Sequence, residues 1–457
     1  MARPAVRSKG HEERGVNSVR GLSAILEHQR EAFLRDGPPS LEQRRADLAK
    51  LKQAVKNSAD RIADVISSDF GSRSRHESLL AEVLVVCGSI RHAVRHLPNW
   101  MRPRRVPVSL ELKPGRARIF YQPVGVVGIV SPWNYPFQLA IMPLIAALAA
   151  GNRVMLKPSE FAPRTAQFIA EFLGALFPAD QVATVLGDQE VGAKFARLPF
   201  DHLIYTGSTA VGRLVARAAA ENLTPVTLEL GGKSPCILGA DAALPGAVES
   251  ILYGKLLNAG QSCIAPDYVL LPVAMREEFI RFAAETVRKM YPSLKNNPDY
   301  TSIVNDRHYR RIEQFIEEAR ARGTRVVDLA PTSEALDRSD RKLSPTLVVE
   351  PSDDLAVMRE EIFGPVVCAT PFSDIDEIAR DANQTEYGLA AGIWTKDIGK
   401  AHRLAHKLRA GTVWINCYNV FDAAMPFGGY KQSGWGREMG HDSLELYTEV
   451  KAVCAAI

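Results

Sequence analysis

Val124-Gly125-Val126-Val127-Gly128-Ile129-Val130 is a near-continuous apolar run, and Ser131-Pro132-Trp133-Asn134-Tyr135-Pro136 ends it. A short apolar run bounded by turn formers reads as a buried strand. The sequence on either side fits that reading. Upstream, Ile119 and Tyr121 alternate with polar neighbours, as in a half-exposed strand. Downstream, strands are predicted over 154–156, 182–186, 202–206 and 226–230. Helices are predicted over 163–177, with proline in the first turn, and over 210–220, where Val211, Leu214, Val215 and Ala218 share a face. Strand and helix alternating at this spacing predict a parallel sheet covered by helices on both faces. After Gly231–Gly232 the alternation starts again. Strands over 267–271, 366–370, 389–394 and 412–415 and helices over 277–290 and 308–320 predict a second α/β domain. The first hundred residues read as helical. Leu41, Leu48, Leu51 and Val55 share one face, Ile62, Val65 and Ile66 form another with Ser58 as N-cap, and a third pattern from Glu77 ends at Pro98.

Composition narrows the function. The 457 residues are 46% hydrophobic and 24% charged, which excludes a mainly disordered chain. A net charge of +4 on a chain of this length gives no support to nucleic-acid binding. The longest apolar run, 139–150, is interrupted by Pro143 and is too short to span a bilayer. The polar N-terminus, 1–20, does not read as a secretory signal. Six scattered cysteines without a Cys-x-x-Cys pair signal no metal site and point to a reducing compartment.

In open α/β sheets, ligands gather at the carboxyl ends of strands. The segments 132–136 and 157–160 follow predicted strands, as does Gly207-Ser208-Thr209-Ala210-Val211-Gly212. The last has the glycine spacing of a P-loop, but Arg213 and Leu214 stand where Lys and Ser/Thr are required, so triphosphate chemistry is not indicated. It reads either as a phosphate-accepting helix N-terminus or as an ordinary capped helix. In Leu228-Glu229-Leu230-Gly231-Gly232-Lys233-Ser234-Pro235, Glu229 ends an apolar strand. Buried, it would be a general base near neutral pH; solvated, it is only a strand end. Cys263 lies in the loop Asn258-Ala259-Gly260-Gln261-Ser262-Cys263-Ile264-Ala265-Pro266, where a thiol is a better nucleophile candidate than in a core. Cys236, Cys368 and Cys417 have apolar strand surroundings and read as core residues. Glu360-Glu361-Ile362-Phe363-Gly364-Pro365 leads into a strand, and 426–434 is a glycine-rich loop with one lysine.

Together, these motifs resemble the NAD(P)-dependent aldehyde dehydrogenases, in family order and over about 41–457. The segments 200–212 and 263–268 are similar to the class 3 branch, nearest its coniferyl aldehyde dehydrogenase-like enzymes. The resemblance implies two Rossmann-like parallel-sheet domains plus a small β oligomerisation element. It places an NAD-binding domain at 1–105 and 123–231, a catalytic domain at 232–430, and subunit-bridging segments at 106–122 and 440–457. It implies that Cys263 attacks the aldehyde, that Asn134 and the Cys263 N–H hold the oxyanion, and that Glu229 activates water to hydrolyse the thioester. Lys157 and Glu160 match adenosine-ribose positions, Gly207 and Ser208 the pyrophosphate turn, and Glu361 the nicotinamide ribose. Phe363, Trp133 and Gly231 complete the cofactor set. Glu160 would repel a 2′-phosphate, so NAD is expected as cofactor, with NADP tolerated. Trp133, Tyr135 and Tyr418 are aromatic wall candidates for a coniferyl-type or a medium- to long-chain aliphatic aldehyde. A cytoplasmic homodimer without membrane anchor or metal is expected. Two alternatives stay open: a coenzyme-A-acylating relative, which Glu229 argues against, and a non-catalytic binding protein, which the joint presence of Cys263, Glu229 and Asn134 argues against.

Overall fold

The apolar run at 124–130 forms the strand Val126–Val130, its first four residues buried, in the middle of a six-stranded sheet. The computed structural model describes residues 19–331, 334–372 and 378–455. Most of the polar N-terminus and the last two residues of the 440–457 segment lie outside the described residues.

Sixteen strands form three sheets among the described residues. The smallest joins β1 (Arg104–Val106), β2 (Arg116–Pro123) and β16 (Thr448–Ala455), all antiparallel. The six-stranded sheet contains β3 (Val126–Val130), β4 (Arg153–Lys157), β5 (Val182–Thr184), β6 (His202–Thr206) and β7 (Val226–Glu229), all parallel. A two-residue strand, β15 (Gly434–Trp435), is added antiparallel to β7. The seven-stranded sheet contains β8 (Ser234–Leu238), β9 (Pro266–Pro272), β10 (Arg325–Asp328), β11 (Thr346–Val349), β12 (Val366–Phe372), β13 (Ala390–Trp394) and β14 (Thr412–Ile415). It is parallel except at its β10 edge. Strand order in the six-stranded sheet is β15-β7-β6-β3-β4-β5, so the direction of winding reverses between β3 and β6. Ligands of doubly wound sheets collect at the carboxyl ends flanking such a reversal.

The helix Gln138–Ala150 is apolar nearly all round, and ten of its residues are buried. A helix without a polar face is stable only when covered on every side. It is packed beneath the helices Leu41–Asn57 and Val85–Trp100 in one core. Its first N–H groups lack partners within the helix. The fully buried Glu82 supplies one, accepting from Phe137 N at 3.1 Å and Gln138 N at 2.6 Å. Glu82 lies on a π-helical turn, Leu79–Leu84, which precedes the helix Val85–Trp100.

Three local expectations are corrected. Pro98 lies inside the helix Val85–Trp100 rather than ending it. That close to the helix end, the one hydrogen bond it forgoes is tolerated. Ser58 makes no side-chain cap; it is a bend between two consecutive helices, and its N–H donates back to Ala54 and Val55. Cys417 is half-buried at a core margin, whereas Cys236 and Cys368 are fully buried as expected.

Candidate active site

A cleft of about 1820 Å³ lies between the two large sheets. The chain leaves β7 at its carboxyl end and passes through Leu230-Gly231-Gly232-Lys233 straight into the amino end of β8. Carboxyl ends of the first sheet therefore face amino ends of the second. From the first side come Trp133 and Asn134 after β3, Lys157 at the end of β4 and Glu160 after it, Gly207 and Ser208 after β6, and Glu229 at the end of β7 with Gly231 after it. From the second come Cys263 before β9 and Glu361 and Phe363 before β12. Every catalytic and cofactor candidate from the sequence thus lines one cleft. The strand-end rule needs amending for this protein: Cys263 and Glu361 precede their strands, because the second sheet presents its opposite edge to the cleft.

Cys263 is half-buried. Burial raises its thiol pKa, and the charges of Glu361 and Glu229 raise it further. A thiol held protonated at neutral pH needs a base to become a nucleophile. Glu229 is buried, and neither of its oxygens has a hydrogen-bond partner among the described residues. Its carboxyl pKa is well above the usual range, first through burial and then through the nearby charge of Glu438, against the opposing pull of Arg437. Buried polar groups are nearly always paired within the protein or by water. An unpaired carboxylate facing a cleft is therefore placed to take a proton from whatever enters. Glu438 itself is pushed up to about 7 by burial, and it accepts a 2.6 Å hydrogen bond from the Tyr447 hydroxyl. The sequence reading missed it, because nothing in the 434–447 periodicity distinguishes a buried glutamate from a solvated one.

Asn134 is 4% exposed, and its side-chain amide donates to Gln261 O at 3.3 Å. An amide has two N–H donors, which leaves the second for the cleft. Deeper along the cleft, the buried Lys157 donates to Glu160 at 2.8 Å, and the Ser208 hydroxyl caps the helix Thr209–Ala220 by accepting from Val211 N at 3.4 Å. Glu361 accepts from Gly232 N at 2.8 Å, and burial pushes its carboxyl up to about 8. A Cβ at Gly231 would run into the Glu361 carboxylate and push it aside. The Trp133 ring lies 5.3 Å from Phe363, edge to face, and 4.9 Å from His308, whose pKa burial lowers to about 4. Trp133 and Tyr135 line the cleft. Tyr418 does not: it is buried behind the cysteine loop and donates its hydroxyl to Ile264 O at 2.8 Å. The far wall is apolar, with Leu80, Leu84, Leu139, Met142, Phe421 and Phe427.

Fold and cleft define a two-lobed α/β protein that turns a loop thiol and an unpaired buried carboxylate toward one cleft. The chain belongs to the aldehyde dehydrogenase family, whose sequence profile matches residues 21–453. It is 41% identical over 436 residues to the coniferyl aldehyde dehydrogenase of Pseudomonas sp. strain HR199, covering 94% of this chain and 90% of that one. Its fold superimposes on Staphylococcus aureus AldH, solved in a substrate-bound state, with a TM-score of 0.89 and 33% identity over 95% of this chain and 94% of that one. The NAD+ complex of a Bacillus cereus aldehyde dehydrogenase gives 0.87 and 34%, over 96% and 89%.

Proposed function

We propose that this enzyme oxidises an aldehyde to its carboxylic acid with NAD, through a thioester on Cys263. The observation that carries the proposal is the pairing, in one cleft, of the Cys263 thiol with a buried carboxylate whose oxygens have no protein partner. The cleft suits a dinucleotide. It is large, it contains the capped N-terminus of a twelve-residue helix at Ser208, and such an end favours a phosphate. Glu160 and Glu361 offer carboxylates to ribose hydroxyls, and Trp133 and Phe363 offer aromatic surface. NAD, when bound, supplies the acceptor for the aldehyde hydride.

The chain's own residues do the rest. Glu229 takes the proton of Cys263, and the thiolate sulfur adds to the aldehyde carbon. The Asn134 amide and the Cys263 N–H receive the developing oxyanion; a preorganised donor of this kind is worth about 3 kcal/mol. After oxidation the acyl group remains on Cys263. Glu229 gives up its first proton to solvent and then draws one from water, which attacks the thioester; the C–S bond breaks, the acid is released, and the Cys263 thiolate recovers a proton from Glu229. The apolar wall suits a substrate of coniferyl type, in line with the relatives of that name. The segments 106–122 and 440–457 are proposed to join two subunits. In support, β16 is exposed along most of its length, and Leu110 and Leu112 project into solvent beside it. The regions 1–105 with 123–231 and 232–430 act as the NAD-binding and catalytic domains. A cytoplasmic location fits six unpaired cysteines, and among the described residues no helix is long and apolar enough to cross a membrane.

The test is NADH formation from coniferyl aldehyde and a fatty aldehyde, with and without coenzyme A. Turnover without coenzyme A is expected. Turnover only in its presence would show the acylating alternative to be correct.

Glu160→Gln should raise the KM for NAD and narrow the gap between NAD and NADP. The variant removes the negative charge that would oppose a 2′-phosphate, while its amide oxygen can still accept from Lys157. An unchanged ratio of kcat/KM for the two cofactors would place Glu160 away from the ribose.

A further inference from the structure

The loop before Cys263 is built on an unusual turn. Asn258 (φ 54°, ψ 31°) and Ala259 (φ 50°, ψ 36°) are both left-handed, and Gly260 follows at φ 75°. Consecutive non-glycine residues in this region persist only where their surroundings hold them. Two supports are visible. The Asn258 N–H donates to the Glu77 carboxylate at 2.9 Å, and the Asn258 side-chain amide donates twice, to Asn134 O at 3.0 Å and Gln261 O at 3.1 Å. Gln261 O is the atom that anchors the Asn134 side-chain amide. Arg73, fully buried and paired with Glu82 at 3.0 Å, adds a second donor to Asn134 O at 2.9 Å. Asn258 is fully buried, and its side-chain oxygen Oδ1 has no partner among the described residues. A buried asparagine that leaves one polar atom unpaired, in a strained conformation, calls for an explanation in its environment.

We infer that Asn258, held in place by Glu77, is a positioning residue that orients the Asn134 amide toward the reacting oxygen. The inference rests on the proposed role of Asn134 as oxyanion donor. The geometry is a two-point clamp. One amide of Asn258 fixes both the main chain of Asn134 and the carbonyl that its side chain uses. The first N–H of Asn134 is thereby tied to Gln261 O and the second is left directed to the cleft. Glu77 comes from the helical segment Arg75–Ser78, outside both large sheets, and fixes the turn from behind. It also accepts from the Thr301 hydroxyl at 3.4 Å. The loop carrying the nucleophile and the loop carrying the oxyanion donor are thus registered by one side chain.

The test is a double-mutant cycle between Asn258→Gly and Asn134→Ala, read in kcat and in the KM for NAD. Glycine keeps the left-handed backbone and removes only the side chain. Asn258→Gly should lower kcat by about 10²-fold, the cost of a small misplacement at a reacting centre, and leave the KM for NAD unchanged. The double variant should be no slower than Asn134→Ala alone, since Asn258 acts through Asn134. Glu77→Leu should lower kcat in the same way, and Glu77→Gln, which keeps an acceptor oxygen for the Asn258 N–H, should recover most of it. Effects that multiply in the double variant, or a wild-type kcat in Asn258→Gly, would overturn the inference. A wild-type kcat in Asn134→Ala would instead remove the oxyanion assignment on which it rests.

Discussion

In Cys263→Ala, NADH production from any aldehyde is expected to fall below detection, while the fold and NAD affinity are kept. Cys263 lies in the turn between the left-handed segment and β9, half-buried, with its side chain on the cleft. Loss of Sγ removes the only atom there that can form the acyl bond; neighbouring Ser262 carries a hydroxyl rather than a thiol, with a far higher pKa. Removing the covalent nucleophile of a hydrolase costs on the order of 10⁶ in kcat, and a comparable loss is expected here. The packing cost is small, because the side chain borders a cavity rather than filling a core. Cys368→Ala is the matched control. Cys368 is fully buried in β12, and truncation there should lower thermal stability while leaving kcat near wild type. Absorbance of NADH and calorimetric titration with NAD separate chemistry from binding. Substantial NADH from purified Cys263→Ala would remove the thioester mechanism.

The buried strands of the first sheet were legible because each is a short apolar run between turn formers, and the helices Pro163–Leu176 and Thr209–Ala220 carry a clear face. Other elements were not. β15 is two residues long and pairs with Leu228 and Glu229 from some two hundred residues away, so no local pattern announces it. β16 has seven of its eight residues exposed and lacks the alternation that marks a half-buried strand. The π-helical turn at Leu79–Leu84 inserts one residue into a helical repeat, which periodicity absorbs without trace. At the site, the residues themselves could be read from motif and resemblance, but their environments could not. Whether Glu229 is solvated or buried depends on the 428–438 segment folding over it: Gly434 pairs with Glu229, and a Cβ placed at Gly428 would come within 2.9 Å of its Oε1. The clamp through Glu77 and Asn258 was equally hidden, since it is made between segments far apart in sequence.

That burial decides what Glu229→Gln should do. A solvated strand-end glutamate could be replaced at little cost. A buried carboxylate with unpaired oxygens and a raised pKa is a stronger base than a solvated one, and its loss should cost about 10² to 10⁴ in steady-state turnover. In the proposed mechanism oxidation precedes the water step, so acylation can survive the change. Rapid mixing with aldehyde and NAD should then give a near-stoichiometric NADH burst followed by a very slow steady state. The trapped thioester should appear by mass spectrometry on the peptide containing Cys263. In the proposed mechanism the same carboxylate also deprotonates Cys263, whose thiol is itself held protonated by burial. The burst in Glu229→Gln should therefore be slower than in the wild type, and raising the pH should quicken it as the thiolate forms. The sign for the wild type follows from the raised carboxyl pKa. The base works only when ionised, so turnover should be lost as pH falls through that pKa, and this acid limb should be absent from Glu229→Gln. Steady-state turnover close to wild type at neutral pH, with no burst and no adduct, would show that another group activates the water.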